Sequence, residues 1–576
     1  MSCSSLYLAT QAHSYLQTLN KMLPEKRVAR LVQQAETSLP TDPLQSRNLL
    51  TDALAISPYD PDLWQQRAIT HIKLGYPDLA IGDAYRALLL VQELLEAHEE
   101  SEFGFVGLVA WRGRRGEPRD TFVTGGDEVV DDVGEVDDGE SIPEITEKEE
   151  GDLKDTDVLA RRVICSSLLE IGCLLDAWEQ ADASLKVYPD DEELRRIYKE
   201  ADEKVKQGRE KGVSDFQLRE GEVARVIYPW NSFEPDRTSD ETVEHLNTFV
   251  AAASAGNFEV KVTELPMLVP DAKEEGKVVT KTSRQLGVYA TKDLQAETQV
   301  FSERSILTVN NRLFDPLCDC CNGPLDPLNT FSCDSCEDVL FCSSLCKVEA
   351  MEKYHPSLCG IDIDFLFKSA HTRHSVANDA SATASSSTPT KALYSLLLLR
   401  TLAMALTQDV NPLEILPIKY LYGSSPPPPP PQKPPTLPFT FPDNILSVFH
   451  ILTRLEVDPF KVSLHTFDIW HTLTIHSKIL GTASARHNPT SGQPEVAALH
   501  LCYSLVNHDC EPCLMWECQS EMRFRTLREV GKGEEVRDCY TDPRIESWKK
   551  RREWLMGSLG GGCRCGRCVR ESEVDP

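Results

Sequence analysis

The chain has 576 residues and a formal net charge of −30, from 90 acidic against 60 basic side chains. Such a length exceeds what one hydrophobic core organises, so several domains are expected. So acidic a surface excludes broad binding of nucleic-acid phosphates and favours attraction of basic polypeptide instead. Met1 to Leu19 lacks the basic flank and apolar run of a secretory leader. The longest apolar stretch, Ala392 to Leu406, carries Arg400 and is too short to span a bilayer. A soluble, intracellular protein without membrane contact is expected. In that reducing setting its 19 cysteines read as metal ligands and buried thiols rather than as disulfides.

Residues 1–210 are predicted to be helical hairpins. In Trp64-x3-Ala68, Gly75, Ala80, Ala84 and Ala87 the small residues fall where two antiparallel helices must approach closely. A shift of 34 residues carries Ala87 onto Ala53, followed by Pro58. A further copy runs through Gly172, Ala177, Ala181 and Pro189. The pattern resembles the tetratricopeptide repeat, a module for holding protein partners. Residues 126–152, with thirteen acidic residues and one lysine, interrupt the array and are expected to form no core.

Residues 211–276, with Tyr228-Pro229-Trp230, read as an ordered connector. From 277 to 317 short β-like runs appear, Gly287-Val288-Tyr289-Ala290 among them. Residues 360–495 form a predicted helical insert with two low-complexity tracts, 375–390 and the proline-rich 424–438. The second is a polyproline spacer or a ligand for a proline-reading domain. Residues 496–545 return to β-like runs, and 546–576 close the chain.

Between 318 and 359 the cysteines are spaced C-x2-C, C-x2-C, C-x3-C and H-x3-C. A C-x2-C turn aims two thiolates at one ion, and the later spacings suit a helix face. We assign Cys318, Cys321, Cys342 and Cys346 to one zinc, and Cys333, Cys336, His355 and Cys359 to a second. With four protein ligands each, both sites are structural. Cys320 would break the C-x2-C spacing and is left out. A third cluster, Cys563, Cys565 and Cys568, needs a fourth ligand, for which Cys510 is the candidate and His508 the rival.

The finger at 318–359 resembles the MYND zinc finger. Flanked by Gly287-Val288-Tyr289-Ala290 before it, and by Asn507-His508-x-Cys510 and Gly533-Glu534-Glu535-x4-Tyr540 after it, it makes residues 277–570 similar to the SET and MYND family of lysine methyltransferases. With the repeats in front, the whole resembles a fungal-type TPR and SET domain protein. The resemblance implies an α+β multidomain fold: TPR-like hairpins, then a SET β-fold split by the MYND finger and the helical insert, with a C-terminal post-SET zinc cluster. It implies S-adenosylmethionine as cosubstrate, three zinc ions, and a protein substrate with an exposed lysine, a histone or another protein. Tyr540 takes the place of the catalytic tyrosine, and Leu286, Gly287, Asn507 and His508 those of cofactor-binding residues.

The sequence departs from that family at Gln285, Asp509 and Cys513, where Gly, Ser and Asn are usual, and in the segment His476 to Ala483, where an Asn is often found and Gly481 and Thr482 stand instead. A catalytically inactive scaffold, binding partners through repeats and finger, is therefore the alternative. A zinc protein reading DNA directly is opposed by the charge. Lys549-Lys550-Arg551-Arg552 is either a solvated helix face or a nuclear import signal, which leaves nucleus and cytoplasm both open.

Overall fold

Aspartate and proline punctuate the N-terminal helices, which run Leu23–Ser38, Pro43–Ile56, Pro61–Lys73, Pro77–Glu96, Glu147–Ile171, Leu174–Val187 and Glu192–Glu210. Asp42 and Asp60 accept the amides of Gln45 and Asp62 at two of these starts. The proline that follows gives up only an N–H that has no partner in a first turn. The computed structural model describes residues 23–96, 111–112, 145–266, 282–311, 316–336, 339–363, 365–366, 387–427, 434–461, 467–488, 490, 492–518, 520–541, 545–559, 563 and 565–574. It divides into two units, Met1–Val223 with Pro438–Trp470, and Ala224–Leu437 with His471–Pro576.

In the first unit the helices pack in successive pairs. Ala53, Ala68, Ala80, Ala84, Ala87, Ala177 and Ala181 are all fully buried, so the small-residue register marks where the helices touch. Trp64 is also fully buried and donates its indole N–H to the Pro58 carbonyl at 2.7 Å. The acidic stretch 126–152 differs from expectation at its end. Thr146 and Glu149 form a reciprocal cap that starts the helix at Glu147, Glu149 is buried against Arg112 at 2.8 Å, and Leu153 joins Val91, Leu94 and Trp111 in a core. A strong capping signal at its last turn overrides the charge of the run. Residues 126–144 lie outside the described residues.

This unit also takes in 438–470, which the sequence reading placed in the helical insert. Asp468 from that segment lies 3.1 Å from Arg67, whose guanidinium also meets Asp83 at 2.7 Å. Arg67 and Arg86 each stand 4.7 Å from the centre of the Trp64 ring. Burial works against the charge on Arg67, but Asp468 and Asp83 offset it and hold the guanidinium above its ordinary value. Asp83→Asn would leave Arg47, Arg67 and Arg86 sharing one carboxylate. A loss of about 3–5 kcal/mol is expected, visible as an earlier urea transition of the helical signal. An unmoved midpoint would mean the cluster is not what ties this segment to the helices.

The second unit is built from several small sheets. Phe258–Pro266 pairs antiparallel with Thr282–Ala290, placing Gly287 opposite Lys261. The connector 211–276 thus already contains a strand of the β-fold, preceded by the helix Asp240–Ala253. Gln299–Glu303, Met522–Thr526 and Leu514–Cys518 form a second sheet. A third joins Leu307–Asn310 to Pro494–Leu499 and then to Ala483–His487, so the insert ends in strands rather than helices. The finger and the helix Ser387–Gln408 are excursions between these paired strands. Thr436–Phe439, at the end of the predicted spacer 424–438, is also a strand; residues 428–433 and the tract up to residue 386 lie outside the described residues.

Arg400, the charge that interrupts the apolar run, is buried. It donates to the carbonyls of Thr308 and Asp319 at 2.5 and 2.6 Å, which ties helix, strand and finger together. Among the described residues no helix is long and apolar enough to cross a membrane.

Candidate active site

Twelve residues gather into three groups: Cys318, Cys321, Cys342 and Cys346; Cys333, Cys336, His355 and Cys359; and Cys510, Cys563, Cys565 and Cys568. Within each, the ligand atoms lie within 4.8 Å of one another. Sulfur separations of 3.7 Å for Cys321–Cys342 and Cys342–Cys346, 3.8 Å for Cys333–Cys359 and 3.5 Å for Cys510–Cys568 match the roughly 3.8 Å edge of a tetrahedron with Zn–S bonds near 2.3 Å. The donor sets therefore fit zinc. In the finger a two-strand hairpin, Phe331–Ser332 with Leu340–Phe341, is followed directly by Cys333 and Cys342, the helix Ser344–Lys353 carries Cys346, and the short turn of helix His355–Ser357 carries His355. The amides of Ser335 and Cys336 pull the Cys333 thiol down to about 6, toward the thiolate a metal requires. Cys320 stays outside these groups.

In the third group the quartet closes with Cys510. The backbone N–H of Tyr540 donates to His508 Nδ1 at 3.0 Å, so the neutral ring carries its proton on Nε2, which lies 3.2 Å from the Cys510 sulfur. His508 thus bridges Tyr540 and a ligand. Tyr540 and Trp548 pack against the cysteine cluster together with Leu555. Arg551 is buried and donates to the Ile545 carbonyl at 2.9 Å, with Cys568 at 3.8 Å. The basic run at 549–552 is therefore not wholly a solvated face.

Asn507 and His508 run parallel to Arg537 and Asp538, and the strand before Arg537 is stitched to Thr282–Ala290 by Val536 N–H to Val288 O at 2.8 Å. This brings positions 286–287, 507–508 and 540 to one place. The Asn507 amide donates to the Leu286 carbonyl at 3.0 Å and to Glu535 Oε1 at 2.8 Å. At Gly287 a Cβ would stand 2.9 Å from Glu535 Oε1 and 3.1 Å from the Tyr289 ring, so only glycine leaves this cradle open. The Tyr540 hydroxyl donates to the Val506 carbonyl. Burial, and next Asp538, push its phenol up, so it stays neutral at physiological pH.

The departures from the resembled family have local explanations. A Cβ on Gly481 would stand 2.3 Å from Arg225 and 2.6 Å from the Tyr422 carbonyl, so no longer side chain fits. The Cys513 sulfur accepts the Arg537 amide at 3.2 Å and so fastens the strand that leads to Tyr540. Asp509 accepts the Glu511 amide at 2.9 Å and pairs with Arg537 at 3.3 Å. Gln285 is exposed on its strand.

From sequence alone Glu535 has no role beyond its place in the motif before Tyr540, and neither Arg537 nor Asp538 is singled out. Their alternation along the strand into Tyr540 was the available signal: 535 and 537 share one face. Asp538 is buried, and burial pushes its carboxyl up to about 7. The native state thus binds this proton more tightly than the unfolded chain. Stability falls as pH rises from about 4 toward 7. Asp538→Asn is expected to raise the melting temperature above pH 7, with the advantage fading below pH 5. A constant difference across that range would contradict the assignment.

Residues 285–541 match the SET domain family; the site residues from Leu286 to Tyr540 lie inside this match, and Cys563 to Cys568 beyond it. The histone-lysine N-methyltransferase ATXR4 of Arabidopsis thaliana is 31% identical over 120 residues, covering 20% of this chain and 34% of that protein. The histone-lysine N-methyltransferase SET5 of Vanderwaltozyma polyspora is 36% identical over 70 residues, 12% of this chain and 14% of that one. SET5 of Candida glabrata is 30% identical over 89 residues, with 15% and 16% covered. The chain spans about a third of the first relative's length and less of the others. These matches place a SET domain at residues 285–541 and relate part of it to proteins named as histone-lysine N-methyltransferases.

Proposed function

We propose that this chain is an S-adenosylmethionine-dependent protein lysine N-methyltransferase, acting on a histone or another protein with an exposed lysine. The observation that carries the reading is the meeting of Gly287, Asn507 and Tyr540 within the SET match, with Tyr540 set against a four-cysteine cluster. The helical hairpins act as a TPR-type region and residues 318–359 as a MYND finger, both holding protein partners. The terminal cysteines form a post-SET cluster. The kinship to proteins named as histone-lysine methyltransferases favours the nucleus over the cytoplasm as the place of action.

S-adenosylmethionine would supply the methyl group as a sulfonium, and the residues of this chain provide the rest. The Asn507 amide and the main chain at Leu286 and Gly287 hold the cosubstrate. Lysine, ordinarily protonated up to a pKa near 10.4, must be delivered neutral, and withdrawal of its amine from water favours that form. Tyr540 offers a hydroxyl that remains un-ionised, so it orients the amine without setting an anion beside it. Its alignment comes from His508, which is itself fixed by the cysteine cluster. Catalysis of this kind is mostly positioning.

The test is calorimetry of S-adenosylmethionine on the zinc-loaded full chain, followed by incorporation of labelled methyl into core histones and other basic proteins, with the modified lysines located by mass spectrometry. Binding and transfer are expected. Absence of binding would leave the inactive scaffold, in which repeats and finger hold partners and the SET fold supports them.

A further inference from the structure

The carboxylate of Glu535 occupies a telling position. Its Oε1 accepts from the Asn507 amide at 2.8 Å and reaches the open side of Gly287, while its Oε2 accepts from Arg537 at 2.6 and 3.1 Å. Arg537 also meets Asp509 at 3.3 Å. Glu535 and Arg537 lie two residues apart on one strand face, and Arg537 is the register partner of Asn507. The Glu535 side chain is 10% exposed and that of Arg537 36%, so the carboxylate is fixed while the guanidinium has room to turn. Two carboxylates and one guanidinium leave this corner with a net negative charge.

We propose that Glu535 and Arg537 are the clamp for the amino-acid end of the cosubstrate, an assignment that rests on the reading above. That end carries an ammonium and a carboxylate. The Glu535 carboxylate takes the ammonium. Arg537, released from Glu535 and kept in reach by Asp509, takes the carboxylate, for which a planar guanidinium is the best-matched side chain. In the free protein the two clamp residues satisfy each other, which avoids leaving either charge unpaired. Asn507 then holds the ligand beside Glu535 rather than instead of it. The net negative corner also favours S-adenosylmethionine, whose sulfonium adds one positive charge, over its uncharged-sulfur product.

Calorimetry on the zinc-loaded full chain tests this with two probes: S-adenosylhomocysteine, which keeps the amino-acid end, and 5′-methylthioadenosine, which lacks it. Glu535→Gln and Arg537→Ala are expected to weaken S-adenosylhomocysteine on the order of ten- to a hundredfold, Arg537→Lys less, with 5′-methylthioadenosine changed by no more than about twofold. Unchanged binding of the first probe would overturn the clamp. Tighter binding to Glu535→Gln would do so too, by making the carboxylate a mere obstruction. An equal loss for both probes would assign the pair to local folding and overturn it likewise. Failure of the unaltered protein to bind either probe would instead remove the methyltransferase reading itself, and the clamp with it.

Discussion

Tyr540→Phe is expected to slow methyl transfer by about a hundredfold or more while S-adenosylmethionine affinity stays within a few-fold. The substitution keeps the ring that packs against the cysteine cluster and His508, and it keeps the backbone N–H that donates to His508. Only the hydroxyl is lost. The Val506 carbonyl then goes without its donor, which costs on the order of 1–3 kcal/mol of stability, too little to unfold a domain held by metal. Single-turnover transfer of labelled methyl, measured beside calorimetric affinity, separates the two effects. A rate unchanged by the substitution would remove Tyr540 from the chemistry, and a parallel loss of affinity would make it a cosubstrate ligand instead.

Cys510→Ser carries the larger structural consequence. It leaves three thiolates in the terminal group, and metal analysis of the purified protein should fall from three zinc equivalents to two, whereas Cys320→Ser should retain all three. Each closed site contributes on the order of 10 kcal/mol to the folding of the segments it joins. Without the terminal ion, the segment at 563–568 is no longer held to position 510, and His508 and Tyr540 lose the wall they rest on. Cosubstrate binding should vanish rather than weaken. Strong chelators should reproduce that loss in the unaltered protein, and added zinc should reverse it. Retained binding in metal-free protein would show that the pocket stands without its cluster.

Much of this arrangement was legible in the sequence because it is written in short range. Ligand spacings such as Cys318 to Cys321 fix local turns, and alanines at helical intervals announce close helix contacts. The capping box at Thr146 and Glu149 was equally local, but it was hidden beneath the charge of the run that it ends. Other features depend on strands meeting across long stretches of chain. The pairing of Phe258–Pro266 with Thr282–Ala290 and the return of 483–499 to Leu307–Asn310 leave no short motif. Asp468 reaches Arg67 across an even longer separation, so its segment was assigned to the insert by proximity in sequence alone. The clamp residues were visible as letters, but the meaning of Glu535 comes from the distance to Asn507.

The strand pair Asn310–Val496 closes an excursion of about 190 positions, for which the entropic penalty grows only with the logarithm of length. Variation in the size of the proline and serine tracts is thereby decoupled from the pocket. The same connectivity imposes a schedule on a nascent polypeptide. All ligands of the finger are translated together, so it could capture two ions before the strand Pro494–Leu499 is made. The edge at 307–310 must wait for its mate, and the pocket for the cysteines at 563–568. Products truncated before residue 563 would therefore carry the finger's eight ligands without the cysteines that complete the terminal group.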